Sequence, residues 1–240
     1  MAHTQSVSVA PRVTAPPQEE DLPRGVVRVP ASAATLAGFR AWATSDDFPQ
    51  RGRISYINQQ IVIDMSPEEI ETHSKVKEVV YRTLGPLVAE EDLGEFFPDG
   101  TLVTHEAAGV SNEPDGTFVS WETSQAGHVV FVPRQDEHGQ FMELEGSPDW
   151  VLEAVSLSSV RKDTRDLLTA YHQAGVREYW LIDARDQELV FQVLVWRKRG
   201  YQAVRARGGW LKSEVFGRSF RLERSRNRAG RWKYQLLVKS

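Results

Sequence analysis

"SPDWVLEAVSLSSVRKD", residues 147–163, decides how this chain is read. Trp150 to Val155 is an apolar, β-branched run of strand length, which predicts a strand buried on both faces. Glu153 stands in its middle. A carboxylate in a buried strand is costly unless something positive pairs with it. What Glu153 faces is therefore the question on which both fold and function turn.

Working outward, residues 160–174 predict a helix that buries Val160, Leu167, Leu168 and Tyr171 and ends at Gly175, a natural C-cap. "REYWLIDA" is a second buried strand, continued by "QELVFQVLVWRKRG" and "YQAVRA"; "SEVFGRSFRLERS" and "RWKYQLLVKS" are late strands. Upstream, "ASAATLAGFRAWATS" reads as a short helix and "RGRISYINQQIVIDM" as a hairpin around Asn58 and Gln59. "SPEEIETHSKVKEVVYRTLGPLVAEE" is a strong helix, with Ser66 as N-cap, Pro67 in the first position and Glu69 completing a capping box. Val76, Val80, Leu84 and Leu87 form its buried stripe, and His73 lies on the same inward face. "GEFFPDGTLVTHE" and "GTFVSWE" read as strands, and "HVVFVPRQDEHGQFMELEG" as a hairpin turning near His138 and Gly139. Helix, several strands, helix, strand is the order of an α/β sandwich with a mixed central sheet and extra hairpins.

The chain has 240 residues, 40% hydrophobic and 26% charged, enough for one large domain. Residues 1–25 are rich in Pro, Ser, Thr and Ala and read as a disordered tail; residues 26–240 read as a single domain with a basic, β-rich C-terminal part. There is no cysteine, which excludes disulfides, thiolate metal sites and a cysteine nucleophile. No signal peptide or membrane span is read, so the expected location is cytoplasmic. The net charge of −4 hides an asymmetry: residues 196–240 carry fourteen Lys and Arg against Glu214 and Glu223. Such a stretch can steer a polyanion such as nucleic acid, or be only a solvated β face.

Three side chains fall where one site could gather them: Asp115 in "SNEPDGTFVSW", Glu153 in mid-strand and His73 on the capped helix. An Asp and a Glu on neighbouring strands can hold a hard cation such as magnesium, whose charge would offset the burial of Glu153. Each also has a plainer reading: Pro-Asp-Gly is a turn sequence, Glu153 can pair with an arginine, and His73 can be a satisfied core histidine.

"PDGTFVSW", "SPDWVLEAVSLSS" and "RKDTRDLLTAYHQAGVREYWLID" resemble, in order and spacing, the Uma-two type of restriction endonuclease, of the PD-(D/E)XK nuclease superfamily. "RISYINQQIVIDMSPEEIETHSKV" resembles that family's opening, so the likeness covers about residues 35–222. It implies the restriction-endonuclease-like fold and a phosphodiesterase site using magnesium or manganese, acting on nucleic acid, DNA above all. Asp115 and Glu153 would be the metal-binding carboxylates, with His73 beside them. Two sites for two strands would suit a homodimer.

The chain departs from the pattern at three points. The superfamily lysine two residues after the Glu is Val155 here, and the alternative helical position is Leu167. Lys162 is five residues earlier, about 140° round an ideal α-helix, and reaches the site only if the helix starts later. Leu157 replaces a proline, and Gly116 an apolar residue. The function is thus read as metal-dependent endonuclease. The alternative is a catalytically degenerate nuclease fold that binds nucleic acid or a protein partner, with Trp196, Tyr201, Trp210, Trp232 and Tyr234 offering faces on which bases can stack. No G-x-S-x-G, H-E-x-x-H, phosphate loop or dinucleotide fingerprint frames another chemistry.

Overall fold

The computed structural model describes residues 26–133 and 140–240; the expected N-terminal tail and the hairpin tip at His138 and Gly139 lie outside them. Helix α1 (Leu36–Ala43) is capped by Thr35, whose hydroxyl accepts the Gly38 N–H. The hairpin of β1 (Arg53–Ile57) and β2 (Gln60–Asp64) turns at Asn58 and Gln59, with φ of 51° and 62°, as a two-residue turn between twisted strands requires. Helix α2 (Lys75–Glu90) leads to β3 (Gly94–Pro98), β4 (Leu102–His105), β5 (Val110–Asn112) and β6 (Gly116–Ser120). Ser120 then caps the short helix α3 (Trp121–Gln125), so the strand expected through "SWE" stops at its serine. Next come β7 (Val129–Pro133), β8 (Phe141–Gly146), β9 (Trp150–Ala154), helix α4 (Leu167–Ala174), β10 (Glu178–Asp183) and β11 (Val190–Val195). Strands β12 (Gln202–Ala203), β13 (Leu211–Lys212), β14 (Ser219–Arg226) and β15 (Trp232–Lys239) complete the chain.

The central sheet has the order β12-β11-β10-β9-β6-β3. Strands β9 and β10 are parallel and its other pairs antiparallel, so the sheet is mixed, as expected. A second six-stranded sheet runs β2-β1-β5-β4-β8-β7, and β13, β14 and β15 form a third.

Strand alternation sorts β9 into two faces. Trp150, Leu152 and Ala154 pack with Val76, Val80 and Leu84 of α2 and with Phe216 and Phe220 from the C-terminal region. Val151 and Val155 pack against Leu167, Ala170 and Tyr171 of α4 and against Ile57 and Val110 of the second sheet. Glu153 shares parity with Val151 and Val155, so it emerges where α4 and the second sheet meet the central one. Gly116 is explained by the same packing: a Cβ there would come within 3.2 Å of the Trp150 ring, which fills the space.

Both helices that feed the site begin with a π-turn. Residues Ile70–Ser74 precede α2, and Lys162–Asp166 precede α4. The first corrects the predicted cap. Ser66 and Pro67 lie outside the helix, and Glu69 is itself the cap, its carboxylate accepting the N–H groups of Glu71 and Thr72. A carboxylate meets two free N–H groups at once, which a serine hydroxyl does less well.

Candidate active site

Strands β6 and β9 run antiparallel with Gly116 opposite Leu152. One step back along β6 puts Asp115 across from Glu153. Both are buried, at 4% and 2% exposure, and the Ala154 N–H donates to Asp115 Oδ2 at 2.7 Å. Glu153 faces two kinds of partner. Its Oε1 accepts from the Tyr171 hydroxyl at 2.8 Å and from Asn112 Nδ2 at 3.1 Å, and the Ser55 hydroxyl holds the Asn112 amide at 2.6 Å. Its Oε2 looks toward Lys162, whose Nζ is 3.8 Å away.

Lys162 thus reaches the site that ideal helical spacing denied it. In the π-turn the Leu167 N–H donates to the Lys162 carbonyl, five residues back. An i→i+5 bond winds the backbone more widely than an α-turn, so residues five apart come nearly into line. The regular α-helix starts at Leu167, which is fully buried against Val151 and Val155. The position that sequence spacing gave to the missing lysine is therefore a core position, and Lys162 approaches Glu153 from one wide turn earlier.

On the far side of Asp115 stands a second cationic group. His73 Nε2 is 3.4 Å from Asp115 Oδ2, and its Nδ1 is 3.0 Å from Glu68 Oε1. Lys77, one turn later, has its Nζ 3.6 Å from Asp115 Oδ1. The Tyr81 hydroxyl donates to the Asp115 carbonyl. His73 braces Asp115.

These surroundings drive the two carboxylates apart. Burial pushes Asp115 up, but the hydrogen bond and charge of His73, the charge of Lys77 and the Ala154 N–H outweigh it and hold the group at about 2. Burial also pushes Glu153 up, and there the negative charges of Asp163 and Asp115 add to it while Lys162 and Tyr171 oppose; Glu153 lies well above the usual carboxylate range. Burial pushes Lys162 down, but Glu153 and Asp163 more than reverse it, so its ammonium keeps its proton. Asp163 is raised, first by burial.

Asp115, Glu153, His73, Lys162 and Asp163 line one pocket, with Arg53, Asp64 and Glu113 among its other walls. All three predicted site residues are gathered there. Among the described residues no three His, Asp or Glu side chains stand in ligand positions around one point, so the protein would offer an ion two carboxylates. That donor set fits magnesium, which takes one or two carboxylates and completes its octahedron with water and phosphate oxygens. Asp163 Oδ1 points the same way: it is buried and accepts no hydrogen bond, although Lys162 Nζ is 3.3 Å away.

A model of the Uma2 family, described as "Putative restriction endonuclease", matches residues 36–224. The chain belongs to this family. It is similar to a crystal structure described as a putative nuclease belonging to DUF820 from Anabaena variabilis ATCC 29413, with 19% identity over 68% of this chain and 83% of that one and a TM-score of 0.46. No curated protein matches.

In this Uma2 chain, sequence reasoning missed Asn112, Tyr171, Asp163 and Lys77 as parts of the site. Asn112 and Tyr171 left no signal, since a short strand after a turn and an inward helical tyrosine are ordinary features. Lys77 left one: it follows His73 by four and interrupts an inward face that carries Val76 and Val80. Four of the five C-terminal aromatics already have a partner or are buried. Trp210 lies under Arg221 and Lys239, Trp232 under Arg224 and Arg226, and Trp196 stacks on His172, while Tyr234 is buried. Among the described residues no helix is long and apolar enough to cross a membrane.

Proposed function

We propose that this chain is a metal-dependent endonuclease that hydrolyses phosphodiester bonds of nucleic acid, DNA above all. The observation that carries the reading is the meeting of Asp115, Glu153 and Lys162 at one pocket, two carboxylates from adjacent strands with an ammonium 3.8 Å from one of them. Asp115 and Glu153 would hold magnesium or manganese. Such an ion neutralises phosphate charge and acidifies a water.

The remaining work falls to the chain. Lys162 is held protonated by Glu153 and Asp163, so it serves as a fixed positive charge that orients the attacking water and the phosphate oxygens, not as a base. Asn112 and Tyr171 fix one oxygen of Glu153 and leave the other turned to the pocket. His73 holds Asp115 in its ionised form. The basic C-terminal part supplies the field that draws a polyanion in, which makes binding steeply salt-dependent. The alternative, a degenerate, non-catalytic fold, leaned on the missing lysine; the approach of Lys162 to Glu153 supports the catalytic reading instead. Cutting both strands of a duplex calls for two sites, which a homodimer would provide.

The test is calorimetric titration of Mg²⁺ and Mn²⁺ into the wild type and Glu153→Ala, with plasmid and RNA cleavage in the same buffers. We expect an ion to bind the wild type alone and cleavage to need it. An absence of both ion binding and cleavage would sink the proposal. A light-scattering mass at the cleavage concentration checks the dimer.

A further inference from the structure

The turn between β14 and β15 carries charge of one sign. From Arg224 to Ser240 there are six Lys and Arg and no Asp or Glu. Arg226, Arg228, Arg231 and Lys233 are exposed, and among the described residues no carboxylate forms an ion pair with any of them. The neighbouring acids are taken elsewhere: Glu223 pairs with Arg221 at 2.6 Å, and Glu71, which Arg231 approaches, pairs with Lys75 at 3.1 Å. The turn is also held in shape. Asn227 Oδ1 accepts the N–H groups of Ala229 and Arg231, and Arg226 donates to the Gly230 carbonyl while lying over the Trp232 ring.

Two anchors set this turn beside the pocket. The Trp232 N–H donates to Glu71 Oε2 at 3.2 Å, and Lys75 Nζ donates to the Trp232 carbonyl at 2.9 Å. Glu71 and Lys75 flank His73, the residue that braces Asp115. From the other side, Arg224 donates to the carbonyls of Ala184, Asp186 and Gln187, in the loop after β10. Strands β9 and β10 are parallel, with Glu153 paired to Leu181 and Ala154 to Ile182, so that loop leaves the sheet at the end where Glu153 stands. A second basic turn, at Lys198 and Arg199, lies at the opposite end: it follows Val195, which pairs with Glu178 at the start of β10.

We propose that the β14–β15 turn is a phosphate grip, in which Arg226, Arg228, Arg231 and Lys233 hold the backbone of duplex DNA beside the pocket. This rests on the reading of the pocket as a nuclease site, and narrows its binding surface from the whole basic C-terminal part to one turn. Three of the four cations are arginines, whose forked N–H groups match phosphate oxygens. Single-stranded nucleic acid is held through open aromatic faces, and the Trp232 ring is covered by Arg224 and Arg226. The turn therefore reads backbone charge, which positions a duplex without selecting its sequence. Because the turn is already ordered, little conformational entropy is lost on binding.

The experiment follows binding of a fluorescein-labelled DNA duplex to the full-length chain by anisotropy, in EDTA so that nothing is cut, from about 50 to 200 mM salt. Wild type is compared with Arg228→Gln combined with Arg231→Gln, and with Lys198→Gln combined with Arg199→Gln. Both pairs remove the same charge from exposed positions, at opposite ends of the sheet. Each lost phosphate contact flattens the slope of log K against log salt by about 0.9. The Arg228 and Arg231 pair should flatten it by about 2, and the Lys198 and Arg199 pair should leave it as in the wild type. Equal flattening by both pairs would make the surface a diffuse field, and none by the Arg228 and Arg231 pair would make the turn a solvated one. Either result overturns the inference and leaves the nuclease reading intact. A wild type that binds no duplex overturns it too, and takes the nuclease reading with it if Mg²⁺ and Mn²⁺ also fail to support cleavage.

Discussion

Asp115 and Glu153 are the same chemical group, stand across from each other on neighbouring strands, and are almost equally buried. Their protons nevertheless behave oppositely. Asp115 is held at about 2, whereas Glu153 is raised well above its ordinary value. Burial costs both of them, so the difference lies in what surrounds each. Asp115 has His73, Lys77 and a backbone N–H; Glu153 has one ammonium at 3.8 Å, already shared with Asp163. Burial sets the cost of a charge, and the count of nearby cations decides whether the charge is kept.

The sharpest way to break this comparison is to neutralise each carboxylate in turn. Asp115→Asn and Glu153→Gln should both abolish metal-dependent cleavage, yet their stabilities without metal should part. Asp115→Asn takes from His73 and Lys77 the one fully buried carboxylate they share and should cost roughly 3 kcal/mol in urea unfolding. Glu153→Gln removes a charge that the fold barely tolerates and should leave stability unchanged or raise it. Equal losses would mean that the two environments do not differ as described.

The next largest effect concerns the ammonium that serves Glu153. Lys162→Met, which removes a fixed positive charge, should lower kcat by about 10²–10³. Adding Leu167→Lys in that background should not restore activity and should destabilise the fold, because Leu167 is fully buried in the α4 core. Restored cleavage would return the lysine to the position that ideal helical spacing gives it.

The pH dependence of stability, followed in the presence of a chelator, sharpens the comparison further. The folded form of Asp115 holds its proton less tightly than the unfolded chain, so its contribution is complete above the ordinary carboxylate range near pH 4. It should be lost as the pH falls toward 2, a change on the order of 2 kcal/mol relative to Asp115→Asn. Glu153 runs the other way. Its folded form binds the proton more tightly, so the wild type should lose stability relative to Glu153→Gln as the pH rises above about 4.5. A parallel pair of curves would refute the raised value. The smallest change is expected from Tyr171→Phe, which deletes one hydrogen bond to Glu153 Oε1: about 1 kcal/mol, with metal binding moved to higher pH because that bond favours the ionised form.

Most of the fold was legible in the sequence because it rests on patterns that single residues carry. The hairpin at Asn58 and Gln59, the apolar stripe of α2 and the buried runs of β9 and β10 each declare themselves by period or turn chemistry. Asp115, Glu153 and His73 were legible as outliers, polar groups in places that should be dry or tight. The errors at the two helix starts share one physical origin. Both helix starts were read with α-helical spacing, and both are π-turns. Nothing in "SSVRKDTRDLL" shows that five residues, not four, span the turn.

What the sequence by itself determined is the set of elements, the family resemblance and the presence of a carboxylate where a buried strand should have none. The tertiary structure alone decided which groups meet that carboxylate. Pairing across β6 and β9 set Asp115 opposite Glu153, and the wide turn before α4 returned Lys162 to the site. Contacts between segments far apart in the chain then divided the cations unequally between the two acids. Charge is written in the sequence one residue at a time, but the state of a buried charge depends on distances of a few ångströms, and only the folded chain sets those.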